Sequence, residues 1–238
     1  MVKQQRMRRA AKVGRRIPSL TPEQVQRAIY IDFEGTKNDP PSFLGWSCEG
    51  EWTYCVIEEA LVPAAAYPHT KGAGSWATPE QCLRMLLKRA MREQRVFIAW
   101  SSHELQMIKG LVAWSADELA FWEEHLINAL PIGRRWSRRE GITIPEIEGS
   151  YSARPNKWSL SGFRIATGYP PVNALHEPGH TASRLRHVRD QLIKRDGEFA
   201  RLTRVAKGKW TKVLTHNYHD CVGLAHVMHR IYGVKRSA

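Results

Sequence analysis

Apolar and polar positions alternate with a period of two over residues 28–34, Ala-Ile-Tyr-Ile-Asp-Phe-Glu, and this predicts a β-strand. Side chains alternate across a strand, so Ile29, Ile31 and Phe33 share one face while Asp32 and Glu34 share the other. Just upstream, Thr21-Pro22-Glu23-Gln24 combines an N-cap, a proline at the first helical position and a capping-box glutamine, which predicts a short lead-in helix. Residues 43–48 and 52–57 flank Glu49-Gly50-Glu51 and read as a β-hairpin with glycine in its turn. The Pro-, Ala-, Gly-, His- and Ser-rich stretch 62–77 reads as a loop.

Thr78-Pro79-Glu80-Gln81 repeats the helix-start signal, and Leu83, Leu86, Leu87, Ala90 and Met91 follow at helical spacing as far as Gln94. Apolar residues 96–100 predict a short buried strand. Helices are expected over 103–113 and 116–129, the second opened by Ser115-x-x-Glu118. The Gly-, Pro- and Arg-rich stretch 131–157 reads as irregular, with further helices over 158–167, 181–205 and 216–231. A strand, a hairpin, a helix, a strand and then helices predict an α/β fold: a mixed sheet flanked by helices, with an edge hairpin and strand 28–34 beside strand 96–100. Ligands in open α/β sheets gather at the carboxyl ends of such strands. Asp32 and Glu34 lie at one such end.

Composition narrows the picture. A chain of 238 residues, 42% hydrophobic, suits one large α/β domain over 21–238. Residues 1–20 read as a disordered basic arm with too few apolar residues to pack, although an Arg-rich, acid-free start also resembles a transit peptide. No run approaches the roughly 18 apolar residues of a membrane span, and no signal-peptide core follows the start, so a cytoplasmic protein is expected. Cys48, Cys55, Cys82 and Cys221 show no C-x-x-C spacing, which excludes zinc-ribbon and redox-motif readings and leaves buried free thiols.

The net charge of +13 is unevenly spread: residues 1–27 carry +7, residues 28–133 carry −6 and residues 134–238 carry +12. An acidic block between basic ones suits a protein that grips a polyanion and concentrates a cation at one point. Arg134, Arg135, Trp136, Arg138, Arg139, Lys157 and Trp158 interleave cations with aromatics, a pattern fit for nucleic-acid backbones and unpaired bases. Arg184, Arg186, Arg189, Lys194, Arg195, Arg201 and Arg204 line the outer faces of helix 181–205, where a solvated face and a backbone-tracking one are both open.

Two adjacent acids ending a buried strand repel each other and lose hydration, so Asp32 and Glu34 need a cation or a partner. Glu104, just past strand 96–100, projects into the same crevice if the two strands are parallel neighbours. His216 and Asp220 are four apart at the start of the expected last helix and share a face. His176-Glu177-Pro178-Gly179-His180 matches the H-E-x-x-H zinc-protease string, but Pro178 and Gly179 break the helix that string requires, so a polar loop is expected.

Asp32-x-Glu34 on a first strand, Glu104 after a later strand, and His216-Asn217-x-x-Asp220 in a helix together resemble the DEDD (DnaQ-like) 3′–5′ exonucleases of the ribonuclease H-like fold. The final motif, HNYHDCVGL, is most similar to the YprB-type branch, as are Trp158-Ser159-Leu160 and Gly168-Tyr169. The likeness covers roughly residues 28–231. It departs from the family pattern at Glu104, where aspartate is usual, and in the spacing of His216 from Asp220.

The resemblance implies two-metal phosphodiester hydrolysis with Mg²⁺ or Mn²⁺. It implies Asp32, Glu34, Glu104 and Asp220 as metal ligands and His216 as proton acceptor, with DNA or RNA as partner. The two departures motivate an alternative, a catalytically inactive nucleic-acid-binding module of a larger assembly.

Overall fold

A computed structural model describes residues 19–36, 39–67, 69–147, 158–170 and 180–234. Helix α1 (Pro22–Arg27) opens on a reciprocal capping box between Thr21 and Gln24 and delivers the chain into strand β1 (Ile29–Gly35). Strands β2 (Pro41–Cys48) and β3 (Glu51–Val56) form the hairpin, turning at Glu49 and Gly50, both with positive φ. A short helix, α2 (Val62–Ala65), precedes strand β4 (Gly72–Trp76), which pairs parallel with β3 on the outer side of the hairpin. Helix α3 (Pro79–Glu93) starts at the Thr78–Gln81 box and stops at Gln94, which takes a left-handed conformation. Strand β5 (Phe97–Ala99), helices α4 (His103–Leu111) and α5 (Ala116–His125), and strand β6 (Leu126–Asn128) follow. Helices α6 (Ala129–Arg139), α7 (Leu160–Ala166), α8 (Thr181–Ile193) and α9 (Arg204–Tyr232) complete the described chain.

The strands form one six-stranded mixed sheet in the order β4-β3-β2-β1-β5-β6. The hairpin pairs antiparallel with β1, while β5 and β6 run parallel to it. This is the α/β, ribonuclease H-like arrangement expected, a mixed sheet with helices on both faces, but the hairpin is not at the edge as expected, because β4 pairs on its outer side and takes that place. Ile29 and Ile31 face Leu83, Leu86, Leu87, Ile108 and Trp122 of α3, α4 and α5. Tyr30 faces the other way, onto Leu224 and Met228 of α9. The alternation therefore turns Asp32 and Glu34 toward α9. All four cysteines are buried and free, with Cys48 opposite Glu51 and Cys55 opposite Leu44.

Several elements differ from expectation. Strand β4 and helix α2 occupy the stretch read as a loop, because pairing with β3 stabilises a segment that lacks a strand-like apolar pattern. Strand β6 interrupts the helix expected to 129, its residues paired with β5. Helix α6 forms inside the stretch read as irregular: Asn128 caps it, and Pro131 is its third residue, where the missing N–H has no intrahelical partner to lose. Helix α8 ends twelve residues before expected, since Asp196 and Gly197 take left-handed conformations just beyond it. Helix α9 begins twelve residues early, capped by Thr203, so His216 and Asp220 lie mid-helix. No helix among the described residues is long and apolar enough to cross a membrane. The basic arm 1–18, Lys157 and the His176–Gly179 part of the zinc-protease string lie outside the described residues.

Candidate metal centre

Three stretches far apart in sequence bring their acids to one end of the sheet. β1 supplies Asp32 and Glu34, the first turn of α4 supplies Glu104, and α9 supplies His216 and Asp220. Glu34 and Glu104 are each 7% exposed, too buried for two carboxylates to stand as ordinary solvated acids. Glu104 Oε2 accepts a hydrogen bond from Ser101 Oγ at 3.0 Å. Burial raises the Asp32 pKa well above the usual carboxylate range, and the charges of Glu34, Asp220 and Glu104 raise it further. Three other acids therefore bear on Asp32. Burial likewise pushes Glu34 up to about 7. Burial raises Glu104 as well.

His216 Nε2 lies 3.3 Å from Asp220 Oδ2 and 3.9 Å from Glu34 Oε1. Burial opposes charging of this imidazole, yet Asp220 and Glu34 outweigh it and raise its pKa. One ligating atom from each of Glu34, His216 and Asp220 lies within 4.8 Å of the others, a group that could hold a metal ion. The donor set fits a divalent cation: excess negative charge is packed with little water, and Glu34 Oε1 is buried without a hydrogen-bond partner.

Three further residues shape the centre. Asn217 is fully buried; its Nδ2 donates to the Asp32 carbonyl at 3.0 Å and to Asp32 Oδ2 at 2.9 Å, while its Oδ1 accepts from Trp52 Nε1 at 3.1 Å. Gly45, opposite Asp32 in the β1–β2 register, makes room for that carboxamide, for a Cβ there would meet Asn217 Oδ1 at 1.6 Å. Arg164 of α7 donates to Asp220 Oδ1 at 2.7 Å and to Ser161 Oγ at 3.1 Å. It lies against Gly223, where a Cβ would meet its Cδ at 2.4 Å. Sequence reasoning assigned roles to none of these. A glycine inside a strand, opposite an acid, is the signal that points to Gly45 and its neighbour; Arg164 carries no comparable mark.

The expected nucleic-acid residues divide. Arg135, Arg138 and Arg139 are exposed on α6, Arg139 beside Glu140. Trp136 is 6% exposed, packed among Ile144, Phe163 and Val227, so the expectation that it stacks on bases is corrected: its position on α6 turns it into the core. Arg134 lies over the partly buried Trp158 ring at 5.2 Å. Arg189, assigned to the basic face of α8, instead pairs with Glu58 and Asp39. A cavity of about 630 Å³ between α1, the hairpin turn and α9 is lined by Tyr30, Ser47, His226 and His229 and contains none of the four acids. Comparisons with protein families, with curated proteins and with solved structures gave no match to this chain.

Proposed function

We propose that this chain is a metal-dependent phosphodiester hydrolase, acting as a 3′–5′ exonuclease on single-stranded or frayed nucleic acid. The observation that carries this reading is the meeting of Glu34 from β1 with His216 and Asp220 from α9, one ligating atom of each within 4.8 Å of the others, with Asp32 and Glu104 close enough that Glu34, Asp220 and Glu104 all raise the Asp32 pKa. Asp32, Glu34, Glu104 and Asp220 would hold two Mg²⁺ or Mn²⁺ ions through oxygen donors, the ligands such hard cations prefer. Bound ions of this kind make water nucleophilic at neutral pH and stabilise charge on the leaving oxygen. Asn217 fixes Asp32, and Arg164 fixes Asp220, so two of the donors are held in place before any ligand arrives. The exposed Arg135, Arg138 and Arg139 support the reading as backbone contacts outside the centre.

The test is cleavage of an end-labelled single-stranded oligonucleotide with Mn²⁺. Asp32→Asn should reduce the rate by about a hundredfold or more, the scale of losing one preorganised electrostatic group, and should leave the fold intact. Undiminished cleavage by that variant would remove the reading. Circular and end-blocked substrates should remain whole. The ion pair between Arg164 and Asp220 favours a second reading, a catalytically inactive nucleic-acid-binding module, because it neutralises one acid without a metal. Binding of the oligonucleotide with no product in Mn²⁺ would favour that alternative.

A further inference from the structure

We infer that His216 is a metal ligand, and that Glu34 Oε1, His216 Nε2 and Asp220 Oδ2 form one mixed oxygen–nitrogen face selecting a Mn²⁺-class transition ion over Mg²⁺. The inference rests on the proposed hydrolase reading and replaces the proton-accepting role that the family resemblance implied for His216.

Geometry is the first support. Donors on one ion with bonds of about 2.1 Å lie at most about 4.2 Å apart. His216 Nε2 meets that limit toward both carboxylates, at 3.3 and 3.9 Å. The nitrogen is thus aimed at the acids that would hold the ion, whereas a proton acceptor must aim its lone pair at the attacking water.

Glu34 supplies an independent indication. Its side chain is nine-tenths buried, and Oε1, the oxygen nearest the imidazole, has no hydrogen-bond partner. A buried acceptor left in that state marks a place for a ligand.

Arg164 sets the orientation of the third donor. Because Nη1 takes Asp220 Oδ1, only Oδ2 faces His216, and the carboxylate presents one oxygen. The guanidinium is in turn held by Ser161 Oγ, by the Tyr169 ring at 5.9 Å and by the gap above Gly223. An imidazole nitrogen beside two carboxylates suits first-row transition ions, while Mg²⁺ prefers an all-oxygen shell and keeps its waters.

The test uses the full chain loaded with Mn²⁺ and electron spin-echo spectroscopy, which detects nitrogen coupled to the ion. The wild type should show ¹⁴N modulation. His216→Asn and His216→Gln should abolish it and weaken Mn²⁺ affinity by at least about tenfold, since even outer-shell partners of a ligand are worth that much. His125→Asn, which replaces a ring lying on Phe121 within α5, should retain both. Mg²⁺ should displace Mn²⁺ from the wild type only at about a hundredfold excess or more, and more easily from the His216 variants. Bound Mn²⁺ without nitrogen coupling, in a protein that still cleaves, would overturn the ligand assignment and leave the hydrolase reading standing. Failure of Mn²⁺ to bind at all would overturn both.

Discussion

Gly45→Ala tests how the helix is seated on the sheet. The new Cβ would stand 1.6 Å from Asn217 Oδ1 and 2.6 Å from its Cγ, far inside van der Waals contact. Asn217 has nowhere to retreat, being fully buried in the middle of α9. Either its carboxamide rotates and gives up its bonds to Asp32 and Trp52, or α9 lifts off β2. Three hydrogen bonds of a buried carboxamide at about 1 kcal/mol each, with about 1–3 kcal/mol of overpacking, put the loss at roughly 4–6 kcal/mol. That is a large part of the roughly 5–15 kcal/mol that holds a domain together. Urea denaturation gives the loss, and a double-mutant cycle gives its cause. Asn217→Ala alone should cost about 3 kcal/mol, and Gly45→Ala added to it should cost little more, because the clashing group is gone. Gly208→Ala, at an exposed helix position with no atom within 4 Å, should stabilise by up to about 1 kcal/mol and serves as the control. Simple additivity of Gly45→Ala and Asn217→Ala, or a Gly45→Ala protein as stable as wild type, would refute the reasoning.

The centre also makes stability depend on pH. Between its ordinary value of 4.5 and about 7, Glu34 holds a proton in the folded chain that the unfolded chain releases, so stability falls as pH rises through this window. His216, raised above its ordinary 6.5, acts in the same direction: its contribution is complete below that value and is lost as pH passes the raised one. Only the part of the Glu34 window above pH 6 counts between pH 6 and pH 8, roughly 1.4 kcal/mol, so in chelator the thermal midpoint should drop by roughly 3–5 °C over that range, and a midpoint that stays level or climbs contradicts the site electrostatics. Mn²⁺ should restore stability at pH 8, by about 2.7 kcal/mol at a hundred times its Kd. Arg164→Gln strands a largely buried acid and should cost about 3–5 kcal/mol without metal, and it should weaken Mn²⁺ binding because Asp220 loses the contact that turns Oδ2 toward His216; calorimetry showing unchanged or tighter binding would count against that role. Replacing Arg135 and Arg138 with serine should leave the thermal midpoint unchanged and lower the salt slope of single-strand binding by about 1.4. An unchanged slope would place the contact surface elsewhere.

Local chemistry made much of the fold legible. The boxes at Thr21, Thr78 and Ser115 start helices where the sequence places them, because a cap is satisfied within its own four residues. The period-two pattern of β1 put Asp32 and Glu34 on one face, and the helical period put His216 and Asp220 on another, since both periodicities belong to the backbone alone. Elements held by partners were hidden. β4 and β6 are strands only because β3 and β5 pair with them, and Trp136 is core only because α6 packs it there.

The residues that hold the acids were hidden for the same reason. Nothing near Arg164 in sequence announces Asp220, 56 positions away, and nothing near Gly45 announces Asn217. Sequence by itself determined which carboxylates could share a face, because that depends on backbone geometry over a few residues. Only the tertiary structure decided which of them meet, which oxygen each presents and which cation stands beside them, because those are matters of contact between segments the chain keeps far apart.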